Sequence, residues 1–127
     1  MIMQNRKKIT DLDVYIEALD FANLIWKICS TWDYFTQKTV GAQLVAAADS
    51  ISANIAEGYG RYHYKENLRF CYYSRGYLEE VQDWLRKSYT RNLILEKDKK
   101  EIEIFINNYP AKLNGYINYI KNCISRK

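Results

Sequence analysis

Proline and glycine are scarce in this chain of 127 residues, which contains one proline and five glycines. All-β domains need such residues at their many turns, so their scarcity argues against a β-sandwich or barrel and favours long helices. The apolar fraction of 48% and the charged fraction of 27% are ordinary for a globular protein and argue against a disordered chain. At this length a single domain can bury a core without disulfides or metals.

The residue types that hold metals or build disulfide frameworks are also few. The three cysteines, Cys29, Cys71 and Cys123, are widely separated and cannot all pair within one chain. His63 is the single histidine and has no neighbour at a ligand spacing, so a zinc site is not expected. The sequence therefore predicts no metal and no cofactor.

Long apolar runs are missing as well. No segment approaches the roughly 18 residues of a membrane span. The first residues carry Arg6, Lys7 and Lys8 without the apolar region of a signal peptide. We therefore expect a cytoplasmic protein with no membrane partner. The net charge of +4 permits contact with nucleic acid but does not require it.

The periodicity of the apolar residues predicts four helices, over about residues 11–30, 40–57, 65–89 and 96–125. The predicted fold class is all-α, an antiparallel up-and-down four-helix bundle. It forms one domain over residues 1–127, with residues 1–10 as a flexible tail. Pro110 removes one backbone hydrogen bond and clashes with the preceding turn, so the fourth helix is expected to be kinked or broken near residues 107–110.

The first predicted helix is apolar around more of its circumference than one bundle core can cover. One stripe consists of Leu12, Ile16, Leu19 and Trp26. A second stripe, offset from it by about 140°, consists of Val14, Phe21, Ile25 and Ile28. Four-helix bundles have no central helix, so the second stripe is predicted to meet another subunit of a homo-oligomer. The alternative is an apolar surface helix without a partner.

Common catalytic patterns are absent from the sequence. There is no GxSxG, no P-loop, and no glycine-rich loop in the context of a dinucleotide-binding fold. Cys71 lies eight residues after His63 and near the apolar face, which favours a buried structural thiol over a catalytic pair. Glu79 and Glu80 are adjacent on a helix and point about 100° apart, so they do not form an acid–base pair. We predict that the protein is not an enzyme.

Cations and tyrosines alternate between residues 59 and 75. The candidate nucleic-acid-binding residues are Arg61, Lys65, Arg69, Arg75 and Tyr62. Basic side chains neutralise phosphates, and tyrosine rings stack on unpaired bases. A solvated basic face with interface tyrosines explains the same pattern. If that second explanation holds, the protein is a structural or protein-interaction scaffold that has no affinity for nucleic acid.

A segment of the second predicted helix resembles one bacterial family. Gln43 and Leu44, followed by SISANIAEG over residues 50–58 and by Gly60 and Arg61, resemble the pattern QLxxAxxSIxxNIAEGxGR. This is the pattern of the 23S ribosomal RNA intervening-sequence proteins, a four-helix-bundle family that includes the accessory variability determinant (Avd) of diversity-generating retroelements. The family's second block, roughly FLxxAxGSLxELxxxL, is matched at Phe70, Gly76, Leu78, Glu80 and Leu85, with departures at Ser74, Tyr77 and Val81.

The resemblance covers nearly the whole chain and implies an assembly as well as a fold. It implies a bundle that forms a ring-like homopentamer and a function that is poorly defined. In the retroelement branch the protein is a basic, barrel-shaped partner of a reverse transcriptase and its RNA. In the other branch the protein is encoded within a ribosomal RNA insertion. RNA or DNA, a reverse transcriptase and further copies of the chain are therefore the expected partners.

The motif residues also have a physical interpretation. We expect a structural role in fixing the register between helices or subunits, through hydrogen bonds and close packing, for Gln43, Ser50, Asn54, Glu57, Gly58, Gly76 and Glu80. Gly76 inside a helix costs about 1 kcal/mol relative to alanine. A neighbouring helix is therefore expected to approach closely at Gly76.

Overall fold

The computed structural model describes residues 7–126. Four long helices account for most of them: α1 (Asp13–Cys29), α2 (Ala42–Tyr59), α3 (Tyr64–Thr90) and α4 (Glu96–Ser125). A 3-10 turn, Ile9–Asp11, precedes α1, and one α-helical turn, Tyr34–Thr36, continues as a π-helical segment, Gln37–Gly41, into α2. No strand occurs in the described part of the chain. The all-α prediction is confirmed.

The four helices pack as the predicted bundle. Each helix contacts the next one along the chain, and α1 also contacts α4, which closes the bundle. Short connections over residues 60–63 and 91–95 make consecutive helices antiparallel. At one end of the bundle the indole N–H of Trp32 donates to the carbonyl oxygen of Leu93 at 3.1 Å. This bond joins the connection after α1 to the connection between α3 and α4.

Residues 7–10, the described part of the tail predicted over residues 1–10, contact the rest of the chain. The turn Ile9–Asp11 is closed by the backbone N–H of Lys8, which donates to Oδ2 of Asp11 at 3.1 Å. The hydroxyl of Tyr59 donates to the carbonyl oxygen of Lys7, and Ile9 packs against the core. Burial of Ile9 removes apolar area from water, which favours the ordered turn. The rest of the predicted tail, residues 1–6, lies outside the described residues.

Of the two outcomes predicted at Pro110, the break does not occur, because α4 is one helix from Glu96 to Ser125, and the kink stays a prediction. Proline inside a helix costs about 3 kcal/mol, and aromatic packing next to Pro110 opposes that cost. The ring of Phe105 stacks on Phe21 at 3.9 Å and on Tyr109 at 4.6 Å between centroids. The hydroxyl of Tyr109 donates to the carbonyl oxygen of Val14 at 2.6 Å. Contacts with α1 therefore hold this part of α4 in place.

The two apolar stripes of α1 face the opposite way from the prediction. The stripe assigned to a subunit interface is buried in the core of the single chain, with exposed fractions of 6% or less for Val14, Phe21, Ile25 and Ile28. That assignment is wrong, because α4 packs on this stripe through the Phe21–Phe105 contact. On the other stripe Ile16 and Leu19 are partly exposed and Trp26 is 64% exposed. The uncovered apolar surface of α1 is therefore the stripe that ends at Trp26.

Candidate nucleic-acid interface

The structure exposes every residue of the predicted nucleic-acid-binding set. Arg61 and Tyr62 lie in the turn between α2 and α3, and Lys65, Arg69 and Arg75 lie on the first half of α3. The ring of Tyr62 is 59% exposed and meets the His63 ring edge-on, with 4.8 Å between centroids. None of the cations is buried in the core, so all of them are available to a ligand.

Arg61 is held in place by two neighbours. Its Nη2 donates to Oε2 of Glu57 at 3.0 Å, and its guanidinium lies 4.8 Å from the centroid of the Phe70 ring. The carboxylate offsets part of its charge, although both side chains remain about half exposed. Arg61 therefore contributes a positioned hydrogen-bond donor more than free positive charge.

Three further cations lie along one exposed side of α3. Lys65 and Arg69 are separated by four residues and share a helix face, and neither forms an ion pair with any described residue. Tyr72 follows three residues after Arg69, and the guanidinium of Arg75 lies 5.0 Å from the centroid of its ring. Arg75 also donates to Oδ1 of Asn114 at 3.5 Å. We call Lys65, Arg69, Tyr72 and Arg75 the α3 stripe.

The polar motif residues form hydrogen bonds close to themselves in sequence. The hydroxyl of Ser50 donates to the backbone carbonyl oxygen of Ala46 at 2.7 Å. The side-chain amide of Asn54 donates to the backbone carbonyl oxygen of Ser50, also at 2.7 Å. Oε2 of Glu80 accepts a bond of 3.2 Å from the indole N–H of Trp84. These bonds lie within one helix, so they do not fix the register between helices of the chain. A role between subunits stays a prediction.

The two motif glycines on facing helices differ in their surroundings. A Cβ on Gly58 would lie 2.7 Å from Oδ1 of Asn67 and 2.9 Å from Cβ of Phe70, so this glycine lets α3 approach α2 closely. A Cβ on Gly76 would meet nothing within 4 Å. No helix within the described residues packs against Gly76, so the close approach of a neighbouring helix stays a prediction that only another subunit could fulfil.

Gly76 instead lies in an open surface groove together with other motif residues. This groove, of about 430 Å³, is lined by Asn54, Gly76, Glu80 and three tyrosines at positions 72, 73 and 77. The tyrosines are between 37% and 47% exposed. We call it the motif groove. It places Asn54 of α2 beside Gly76 and Glu80 of α3 on a surface that no described part of the chain covers.

The comparison with protein families agrees with these motifs. The model of the family described as 23S rRNA-intervening sequence protein matches residues 10–115. This chain belongs to that family. The match includes all of α1, α2 and α3 and most of α4. No curated protein matches the chain in sequence.

Two of the three thiols of this 23S rRNA-intervening sequence protein, Cys29 and Cys71, are poor nucleophiles. Burial raises the pKa of both Cys29 and Cys71 to about 12, because desolvation disfavours the thiolate. Over residues 7–126 no group of three or more His, Cys, Asp or Glu side chains is placed to hold a metal ion. None of the helices there is long and apolar enough to cross a membrane.

Sequence reasoning missed a second basic surface at the far end of α3. It is a groove of about 610 Å³ whose lining includes Phe35, Lys38, Trp84, Lys87 and Arg91. We call it the distal groove. Its residues come from the segment before α2, from the first turn of α2, which contributes the motif residue Gln43, from the last turns of α3 and from the connection after α3. The only signal in the sequence is an aromatic residue close to a basic one in each segment, namely Phe35 with Lys38 and Trp84 with Lys87.

Proposed function

We propose that this chain is a non-enzymatic, homo-oligomeric accessory protein of the cytoplasm that binds nucleic acid through the α3 stripe. The observation that carries the proposal is the exposure of Lys65 and Arg69 without carboxylate partners among the described residues, next to the stacked pair of Tyr72 and Arg75. Unpaired cations on one helix face release counterions when they meet phosphates, which favours binding. The resulting affinity falls steeply with salt concentration and depends little on sequence.

Tyrosine rings beside the cations extend the same surface. Tyr72 and Tyr62 expose 37% and 59% of their areas. Stacking of one base on an aromatic ring contributes about 1–3 kcal/mol. A structured RNA that offers both backbone phosphates and unpaired bases is therefore the ligand that this surface suits best.

Assembly is supported by two different uncovered surfaces. One is the exposed Trp26 at the edge of a groove of about 540 Å³ between α1 and α2, lined mostly by apolar and small side chains that include Ala42, Val45 and Ala46. The other is the part of the motif groove that lies outside the α3 stripe, formed by Asn54, Tyr73, Gly76, Tyr77 and Glu80. Contacts between two unlike surfaces generate closed rings when the rotation closes. The number of five subunits follows from the family resemblance.

Fluorescence anisotropy with a labelled RNA hairpin and a DNA duplex, at low and high salt, tests the binding proposal. We expect binding at low salt, and a loss of about tenfold or more when Lys65→Ala and Arg69→Ala are combined. Lys97→Ala with Lys100→Ala is the matched control, because these two lysines are also exposed helix residues. Absence of binding to either ligand at low salt would exclude the proposed function.

Light scattering tests the assembly. A pentamer has a mass of about 75 kDa, five times the subunit mass of 15.1 kDa. The variant Trp26→Ala is expected to lower the measured mass, since it removes the largest exposed side chain of α1. Ile104→Ala is the control, because Ile104 is equally exposed, at 64%, on α4. A wild-type mass of one subunit at micromolar concentration would contradict homo-oligomerisation.

A scaffold without affinity for nucleic acid is the second candidate, and one observation favours it. The exposed acidic residues Glu79, Glu80 and Asp83 follow the α3 stripe directly on the same helix. They interrupt the positive surface of α3 between the α3 stripe and the basic residues at its far end, and they repel phosphates in between. The anisotropy titration separates the two candidates.

Two biological settings fit the binding proposal. The nucleic acid is ribosomal RNA that carries an insertion, or it is the RNA used by a reverse transcriptase that this protein assists. The genes beside the coding sequence separate the two settings. A ribosomal RNA insertion indicates the first, and a reverse transcriptase gene with variable repeats indicates the second.

A further inference from the structure

The distal groove and the α3 stripe occupy different parts of the same helix. Arg75, the last residue of the stripe, and Trp84, the first α3 residue of the groove, are nine residues apart, which corresponds to about 14 Å at the helical rise. One wall of the groove is the segment before α2, and the other wall consists of the last turns of α3. A ligand in the distal groove therefore contacts a different part of the protein from a ligand on the α3 stripe.

Charge in the distal groove is of one sign. Its lining contains Lys38, Lys87 and Arg91 and no carboxylate. Lys87 is paired with Asp83 at 2.8 Å, whereas Lys38 and Arg91 form no ion pair with a described residue. The ammonium of Lys38 lies over the ring of Tyr34, 5.3 Å from its centroid. The groove thus presents at least two cations whose charge is not neutralised.

Aromatic rings stand next to these cations. Phe35 lines the groove with 72% of its area exposed, and Tyr34 beside it is 75% exposed. The indole of Trp84 is fixed by its hydrogen bond to Glu80 at 3.2 Å and by Lys87, whose ammonium lies 4.2 Å from the ring centroid. Exposed apolar side chains that adjoin one another, as Tyr34 and Phe35 do, are typical of interaction sites.

The wall before α2 is held in shape without a ligand. The side-chain amide of Gln37 donates to the carbonyl oxygens of Cys29 and Ser30 at 3.1 and 3.2 Å. The hydroxyl of Thr39 donates to the carbonyl oxygen of Phe35 at 2.7 Å. The segment Gln37–Gly41 is π-helical, a conformation frequently found at functional sites. The groove is therefore preorganised.

We propose that the distal groove binds an unpaired segment of nucleic acid. Single strands alternate anionic phosphates with flat bases, and the groove alternates cations with exposed or fixed rings. A base stacks on the exposed ring of Phe35, while phosphates meet Lys38 and Arg91. This inference rests on the proposed function and adds a second site to it. The α3 stripe holds the structured part of the ligand and the distal groove holds a single-stranded extension.

A second copy of the chain is the rival occupant. The groove between α1 and α4 carries the opposite charge, since its lining includes Asp20 and Glu101 and no cation. Its exposed apolar residue is Ile104, which is 64% exposed and offers no ring to stack on Phe35. The alternation of rings and cations in the distal groove therefore matches a nucleic-acid strand better than this surface.

Anisotropy with labelled oligouridylate and with a blunt duplex of equal length tests the inference. Phe35→Ala combined with Arg91→Ala is expected to weaken binding of the single strand about tenfold or more and to leave the duplex within about twofold. Phe35→Tyr keeps a stacking ring and is expected to bind the single strand as the wild type does. Lys65→Ala with Arg69→Ala is expected to affect the duplex more strongly.

Each outcome has one meaning. If the wild type binds the single strand and the Phe35/Arg91 variant binds it equally well, the distal groove is not the site, although the proposed function stands. If the wild type binds neither ligand, both proposals fail. Loss of duplex binding alone in the Lys65/Arg69 variant supports two separate sites. If the Phe35/Arg91 variant has a different light-scattering mass from the wild type but binds the single strand equally well, the groove is a contact between copies of the chain. That result would overturn the inference.

Discussion

The hydroxyl of Tyr109 donates a hydrogen bond of 2.6 Å to the backbone carbonyl of Val14. Tyr109 is fully buried, and it lies one residue before Pro110 in α4. Burial raises the pKa of Tyr109 well above its ordinary value, so the hydroxyl stays protonated and remains a donor. The bond connects the start of α1 to the part of α4 where Pro110 removes a backbone hydrogen bond.

Removal of the Tyr109 hydroxyl should destabilise the bundle while the aromatic ring continues to fill its place in the core. We expect Tyr109→Phe to lower the free energy of unfolding by about 1 kcal/mol, the net contribution of one buried hydrogen bond. Urea denaturation followed by circular dichroism measures this as a lower midpoint with an unchanged slope. Tyr119→Phe is the control, because Tyr119 is 56% exposed. Equal midpoints for Tyr109→Phe and the wild type would show that the bond contributes nothing.

Close packing of α2 against α3 depends on Gly58. A methyl group there would lie 3.0 Å or less from three atoms of Asn67 and Phe70, one of which is a backbone oxygen. We expect Gly58→Ala to lower the free energy of unfolding by about 1–3 kcal/mol, because α3 must shift away from α2. Thermal denaturation is the measurement. An unchanged or raised melting temperature would mean that α3 adjusts freely at this position.

Gly76 provides the opposite test, since the chain leaves open space above it. In a single subunit Gly76→Ala should stabilise α3 by up to about 1 kcal/mol, because alanine is the better helix former. If another subunit packs into the motif groove, Gly76→Leu should instead lower the light-scattering mass while the subunit stays folded. A mass equal to that of the wild-type oligomer in the Gly76→Leu variant would remove the motif groove from the assembly.

Thiol reactivity should separate the three cysteines. Burial raises the pKa of Cys29 and Cys71 to about 12, so their thiols stay protonated in the native state up to strongly alkaline pH. Cys123 is partly exposed. At mildly alkaline pH a thiol-reactive disulfide reagent should modify Cys123 in the native protein and all three cysteines after denaturation. Rapid native modification of Cys71 would contradict the burial of that side chain.

The raised pKa values of Cys29 and Cys71 predict that the stability of the fold decreases at alkaline pH. In the unfolded chain a thiol ionises near its ordinary pKa, about 8.5, whereas in the folded chain it remains neutral to about 12. The unfolded state therefore loses protons first as the pH rises between these values. Stability is fully present below the lower value and decreases above it. Cys29→Ala and Cys71→Ala variants should show less of this alkaline loss.

Helix positions could be predicted from the sequence to within two residues at every end of the four long helices. Apolar residues recur at helical spacing throughout, and Gly58 and Gly60 mark the end of α2. These patterns are local in sequence. They predict the helices correctly because each helix buries one apolar stripe in the same core. The cations of the α3 stripe and their exposure were predictable for the same reason.

Features that depend on contacts between distant segments could not be predicted. The stripe of α1 that faces inward is decided by the stacking of Phe21 on Phe105, and periodicity alone leaves the two stripes equivalent. The same contact helps to keep α4 continuous at Pro110. The distal groove combines Phe35 with Arg91, which are brought together by the connections of the bundle. Spacing in sequence carries no signal for such pairs.

The salt dependence of RNA binding tests the central claim, that unpaired cations of the α3 stripe meet phosphates. The logarithm of the association constant should fall linearly with the logarithm of the salt concentration. Replacement of Lys65 and Arg69 by alanine should reduce the magnitude of that slope by about 2, one for each lost phosphate contact. An identical slope in the double variant and the wild type would contradict the account.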